Sequence, residues 1–280
     1  MTPPFAQRFV ALAAKRSPLC VGIDPSPESL ADWGLSDDAA GLRAFCERLA
    51  DVCGPIVAAI KPQAAFFERH GPAGMEVLRD TVARAKRYGA LVIIDAKRGD
   101  IASTAVAYGE AFLGPQSPFG GDAITVNPYL GFAALAPIYA IARREAAGVF
   151  VVVRSSNVEE NGLQQALMPD GLSVAEHLGR DIAGYNANVG DGELGPIGAV
   201  LGATLGGEAA RLAALLSNGL LLVPGIGAQG ATIADVRRDF AADYSRVVPS
   251  ISRAICRAGP TPQGLRAKLE EFAALARGNR

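Results

Sequence analysis

Eight short apolar runs punctuate the chain: "LCVGID" (19–24), "IVAAIKP" (56–62), "ALVIID" (90–95), "DAITV" (122–126), "VFVVVR" (149–154), "IGAVLGAT" (197–204), "LLLVPGIG" (220–227) and "RVVPS" (246–250). They are near-continuous in Val, Ile and Leu, as strands of a parallel sheet must be when helices cover its outer face. Helical periods fill the gaps. Leu42, Phe45, Cys46, Leu49, Val52 and Cys53 share one face, and Met75, Leu78, Val82 and Ala85 share another that stops at Gly89. Ile101, Ala105, Tyr108 and Phe112 form a third stripe, ended by Gly114, and Thr261 caps a last helix with Pro262 at its first position. Strand–helix alternation of this count predicts an α/β fold, a (β/α)8 TIM barrel, as one domain over residues 1–280. Such barrels use roughly 200 to 250 residues as a single unit. A doubly wound open sheet is the alternative.

Composition narrows the function. Lys and Arg total 27 against 28 Asp and Glu, with no long run of one sign, so neither nucleic acid nor an acidic membrane is an expected partner. No window approaches the roughly 20 apolar residues of a membrane helix. The opening "MTPPFAQRFVALAAKRS" has too short an apolar core for a secretory signal and reads as a surface helix. Cys20, Cys46, Cys53 and Cys256 lack CxxC spacing and read as core thiols of a reducing compartment, so a cytoplasmic location is expected. Segments 114–121 and 186–196 are polar or rich in Gly and Pro and read as surface loops.

In a barrel the loops after the strands build the active site. The strand ends carry Asp24, Lys61, Asp95, Lys97, Asp100, Asn127, Arg154 with Ser155 and Ser156, Thr204, the 225–230 glycine segment, and Ser252 with Arg253. The opposite ends carry far less chemistry. Asp95 and Lys97 are two apart, so both point into the barrel mouth while the chain stays extended. A structural account would make Asp100 a helix cap, Arg98 a solvated charge and Asp95 with Lys97 an ion pair. Lys61, a second cation one strand away, favours a site instead. Alternating carboxylates and ammoniums keep one another ionised against burial. Such an array sets a fixed positive charge and a transferable proton beside a carbon that becomes negative, with no metal or cofactor required.

Gly225, Gly227 and Gly230 match G-x-G-x-x-G, but in the second last unit of the chain and without an acidic residue ending the next strand, so a dinucleotide site is rejected. A phosphate site from the loops after strands seven and eight fits better, with Arg253 as its charged fork or else a surface helix charge. The two histidines, His70 and His177, fall at no strand end and read as surface helix residues, leaving no support for a zinc site or a Ser/His/Asp triad.

The string D-A-K-R-G-D-I, with "GIDPS" upstream, "KPQAAFFE" after the second strand and "VPGIGAQG" near the end, resembles the orotidine 5′-phosphate decarboxylase family. Its longer-chain bacterial (type 2) branch is the nearest likeness, from about Leu19 to Pro260, with "TVNPYLG" and "VVVRSSN" also similar. The resemblance implies a barrel homodimer that converts orotidine 5′-monophosphate to uridine 5′-monophosphate and carbon dioxide, the last step of de novo pyrimidine nucleotide synthesis, without a cofactor or metal. By the same resemblance Lys61, Asp95 and Lys97 form the charged array, Lys97 donates a proton to C6, and Asp100, Ile101 and Thr104 enter from the other subunit. Asp24 and Lys61 would hold the ribose, Gln229 and Arg253 the phosphate, and Ser156 or Ser155 the base, with Asn127 and Gly227 completing the substrate-binding set. The step "VVPSISR" departs from the Gly-Arg pair of shorter family members, which loosens the register of Arg253. Two other readings compete: a magnesium-dependent hexulose phosphate synthase sharing D-x-K, and a phosphate-ligand binding protein without catalysis.

Overall fold

The apolar runs close into a ring. The computed structural model describes residues 2–157, 162–187, 193–227 and 229–278. The chain runs α1 (Phe5–Lys15), β1 (Cys20–Ile23), α2 (Pro27–Asp32), α3 (Ala39–Cys53), β2 (Ala59–Pro62), α4 (Ala64–Glu68), α5 (Gly71–Arg87), β3 (Leu91–Arg98), α6 (Ala102–Phe112) and β4 (Ala123–Val126). It continues with α7 (Ala136–Arg144), β5 (Gly148–Arg154), α8 (Val174–Asn186), β6 (Ile197–Leu201), α9 (Gly207–Leu215), β7 (Leu221–Val223), α10 (Ile233–Asp239), β8 (Val247–Ile251), α11 (Arg253–Cys256) and α12 (Pro262–Arg277). Each strand pairs in parallel with the next and β8 returns to β1, which excludes an open sheet.

Strand parity sorts the side chains into two cores. Val21, Ile60, Val92, Ile94, Ile124, Val149, Val151 and Leu221 point outward to the helices, in one cluster with Leu42, Phe45, Leu78 and Leu269. The alternate positions Cys20, Ala59, Leu91, Ile93, Ala123, Phe150, Val200, Leu222 and Val248 fill the barrel. Two residues further along β2, β3, β4 and β8, the inward series turns polar: Ala59 is followed by Lys61, Ile93 by Asp95, Ala123 by Thr125 and Val248 by Ser250. The same alternation that packs the interior therefore delivers four polar side chains to its C-terminal end.

The opposite end is plugged, which corrects the reading of the first segment as a surface helix. Phe5, Ala6 and Phe9 of α1 are buried and belong to the interior cluster. Phe5 meets Phe150 edge-on at 5.9 Å. Gly148 makes room for it, since a Cβ there would lie 2.5 Å from the Phe5 ring. His70 also departs from expectation: it stands at the N-cap of α5 with its side chain only 9% exposed, 3.6 Å from Asp37. His177 lies on α8 against Asp170.

Helix starts follow the sequence signals. Thr261 accepts a hydrogen bond from the Gly264 amide, and Pro262 opens α12. All four cysteines are buried and free. Burial pushes the Cys20 thiol up to about 12. The 114–121 loop is not simply solvated, because Phe119 stacks on Phe112 at 5.1 Å. It joins α6 to β4 and so lies at the barrel end away from the mouth. Of the 186–196 segment, residues 188–192 lie outside the described residues, as do residues 158–161.

Candidate active site

β3 overruns its expected end, reaching Arg98, and that extra length builds the site. Asp95, inward-facing and buried, offers a different oxygen to each of two lysines. Its Oδ2 accepts from Lys61 Nζ at 2.6 Å, and its Oδ1 accepts from Lys97 Nζ at 2.6 Å and from Thr125 Oγ1 at 2.8 Å. The register between β3 and β4 shifts from Ile94 to Arg98, and within that bulge Lys97 has φ +44°. A lysine rarely adopts that left-handed conformation, so the surrounding contacts hold the turn in place.

Burial would raise the Asp95 pKa, but the Lys61 and Lys97 ammoniums override it and hold the carboxyl below the ordinary range. For Lys61, burial disfavours the charge, yet Asp95 and then Asp24 reverse this and raise its pKa. The side chains of Lys61 and Asp95 are each 7% exposed, whereas that of Lys97 is 47% exposed. One ammonium lies almost buried on the cavity floor and the other faces the opening.

Above this floor lies a cavity of about 290 Å³, close to the lower end of the roughly 300 to 1,000 Å³ usual for small-molecule sites. Asp24, Lys61, Asp95, Lys97, Ser155, Ser156, Gln229 and Arg253 all line it, opposite an apolar wall of Val152, Val200, Leu222 and Ile226. Two buried oxygens among the lining residues, Asp24 Oδ1 and Ser252 Oγ, have no hydrogen-bond partner among the described residues. Buried polar atoms left in that state point to a ligand that would satisfy them.

A model of the orotidine 5′-phosphate decarboxylase / HUMPS family matches residues 17–267. The chain belongs to that family. An orotidine 5′-phosphate decarboxylase of Myxococcus xanthus is 47% identical over 99% of this chain and 96% of its own length. One from Streptomyces coelicolor is 47% identical over 96% of each chain. A crystal structure of a Streptomyces avermitilis protein, provisionally assigned the same activity, superposes with a TM-score of 0.93 at 48% identity, covering 99% of this chain and 95% of that one.

The remaining residues expected from the decarboxylase family resemblance divide between the cavity and its rim. Ser156 Oγ reaches Gln229 Oε1 across the mouth. Ser155 is instead tied locally, its amide donating to Gln164 Oε1 at 2.8 Å and its hydroxyl to Asn157 Oδ1 at 2.8 Å. Gln229 folds over Gly225, whose φ is +108° and where a Cβ would sit 2.4 Å from the Gln229 oxygen. Arg253 lines the cavity and has no carboxylate in salt-bridge range among the described residues. Gly227 donates its amide to the Ala231 carbonyl at 2.8 Å and does not line the cavity; Ala228 lies outside the described residues.

Asp100, Ile101, Thr104 and Asn127 do not line the cavity. Asp100 Oδ1 accepts the Ile101 amide at 2.8 Å, and Asn127 Oδ1 accepts the Tyr129 amide at 3.0 Å, each closing a local turn. Arg98 is no solvated charge: it pairs with Glu68 and lies over the Tyr108 ring. Thr125, Gln63 and Ser250 also line the cavity and were not singled out from the sequence. The signal for Thr125 and Ser250 was parity, a hydroxyl at an inward position near the end of an otherwise apolar strand.

Proposed function

We propose that the chain decarboxylates orotidine 5′-monophosphate to uridine 5′-monophosphate without a metal or cofactor, and that the Lys61–Asp95–Lys97 array carries the reaction. The observation on which this rests is a buried carboxylate gripped by two ammoniums on the floor of a cavity that both line, one of them, Lys97, half-exposed. Departure of carbon dioxide leaves an electron pair on C6 that the pyrimidine ring cannot readily delocalise. An ammonium already oriented by Asp95 stabilises that pair with no reorganisation at the moment of reaction. Lys97 then transfers its proton to C6, and the C6–H bond forms as the Nζ–H bond breaks.

Substrate orientation follows from the lining. Asp24 and Lys61 meet the ribose hydroxyls, Arg253 and Gln229 the phosphate, and Ser156 the base. The engagement of Ser155 with Gln164 and Asn157 favours Ser156 for that last contact. Phosphate binding draws the 226–235 segment over the base, so that binding energy remote from C6 is used for positioning and exclusion of water.

The functional unit is a homodimer in which Asp100, Ile101 and Thr104 complete the partner's site. Ile101 is 57% exposed, Tyr129 76% and Leu130 54%, an apolar rim following β3 and β4 that a second copy would cover. The reaction supplies uridine 5′-monophosphate at the end of de novo pyrimidine synthesis. An ultraviolet assay with orotidine 5′-monophosphate tests the reading directly. Lys97→Ala should abolish turnover while circular dichroism and thermal midpoint stay close to wild type; near-normal rates in that variant would remove the mechanism.

A further inference from the structure

Thr125 occupies the position that decides whether Asp95 and Lys97 can form their pair. It is 1% exposed and sits on β4, the strand beside the bulge. Its hydroxyl accepts the Lys97 amide at 3.0 Å and donates to Asp95 Oδ1 at 2.8 Å. The direction of both bonds is fixed by chemistry. An amide N–H can only donate, and an ionised carboxylate can only accept, so the hydroxyl proton points to Asp95. The result is a directed chain from the Lys97 backbone through Thr125 to the carboxylate that holds the Lys97 side chain.

That chain acts where the backbone is least self-supporting. Lys97 has φ +44° at a register shift, and regular strand pairing does not supply its amide with a partner there. Without the hydroxyl, the Lys97 amide would be unbonded in a part-buried site, and Asp95 Oδ1 would keep Lys97 Nζ as its remaining partner. The turn would then have one less constraint holding its strained conformation.

We propose that Thr125 is a positioning residue for the proton donor: its hydroxyl locks the Lys97 turn and aims the Asp95 carboxylate, and so sets the geometry of the reactive ammonium. This rests on the reading of Lys97 as the proton donor. Thr125 acts through the Lys97 backbone and the Asp95 carboxylate, to which its hydroxyl is bonded.

The test compares Thr125→Val, which keeps shape and removes both bonds, with Thr125→Ser, which keeps the hydroxyl. Thr125→Val should lower kcat roughly 10- to 100-fold, the range expected for losing hydrogen bonds to a charged group. Its KM and its affinity for uridine 5′-monophosphate should change by less than about threefold, because the ribose and phosphate contacts stay. Thr125→Ser should keep kcat within about threefold of wild type. Wild-type kcat in Thr125→Val, or an equal loss in Thr125→Val and Thr125→Ser, would overturn the inference, the second outcome because a variant that keeps the hydroxyl would then fail as badly as one that lacks it. Thr125→Ala, which also removes the hydroxyl, keeps the test decisive if the Val variant does not fold: the same fall in kcat is expected, and a wild-type kcat would again overturn the inference. Lys97→Ala is measured alongside. Full activity there would defeat the underlying reading, whereas an inactive Lys97→Ala with unaffected Thr125→Val would defeat only the role of Thr125.

Discussion

Asp95→Asn should cost the fold far more than its size suggests, because it strands a buried cation. The side chain keeps its shape, but Lys61, 7% exposed, loses the carboxylate at 2.6 Å that offsets its desolvation. Removing one partner of a buried pair typically costs about 3 to 5 kcal/mol. An upper bound comes from proton release: with an ordinary Lys pKa near 10.4, neutralising Lys61 at pH 7 costs about 4.6 kcal/mol at 1.36 kcal/mol per unit. Asp24 remains close enough to favour the charged form, which trims the loss. A deficit of about 3 to 4 kcal/mol at pH 7 is therefore expected in urea unfolding. In wild type the depressed Asp95 pKa gives stability that is present above roughly 3.9 and lost as pH falls through the native value. The raised Lys61 pKa gives stability that is complete below roughly 10.4 and lost as pH rises through its own native value. Wild type thus has a plateau across neutral pH, while the variant should gain on it from pH 7 to pH 9 as Lys61 sheds its proton more cheaply. Adding Lys61→Met should restore most of the loss. A deficit under about 1 kcal/mol, or one that widens with rising pH, would refute the reasoning.

Arg253→Ala should weaken uridine 5′-monophosphate binding roughly 10- to 100-fold in calorimetry while leaving uridine binding unchanged, since only the phosphate loses a charged hydrogen bond; equal affinity for the nucleotide would remove the phosphate role. Exhaustive dialysis against a chelator should leave decarboxylation unaffected, and loss of activity restored by magnesium would favour a synthase-like chemistry instead. Phe9→Ala, which empties a fully buried position in the plug, should lower stability by about 3 to 5 kcal/mol in urea unfolding and leave KM nearly unchanged; a comparable fall in KM-related affinity would mean that the plug reaches the mouth.

The barrel was legible because parallel strands covered on both faces must be apolar throughout, and such runs alternated with amphipathic periods. The charged floor was legible for a related reason: Asp95, Lys97 and Lys61 break that apolarity at one end of their strands only. Residues whose roles depend on a partner across the barrel were harder to see. Thr125 looks like an ordinary β-branched strand residue until β3 is placed beside it, and α1 looks like a surface helix until Gly148 opens a space for Phe5. The outward reach of β3 was missed as well, because Lys97 and Arg98 carry charge where a strand was expected to have ended.

The contrast between the two lysines argues for dividing their labour. A proton donor must be reloaded after every turnover, so its amine has to meet water when product leaves. Lys61, on the cavity floor with a 7% exposed side chain paired to Asp95, meets little water, and its raised pKa marks a charge that stays fixed. Lys97 is held by the same carboxylate through its other oxygen but is 47% exposed at the cavity mouth. One carboxylate thereby anchors a permanent field on its buried side and an exchangeable proton on its open side. The left-handed turn at Lys97 lies within the register shift of β3, where the chain departs from the regular strand and the amine meets Asp95 Oδ1.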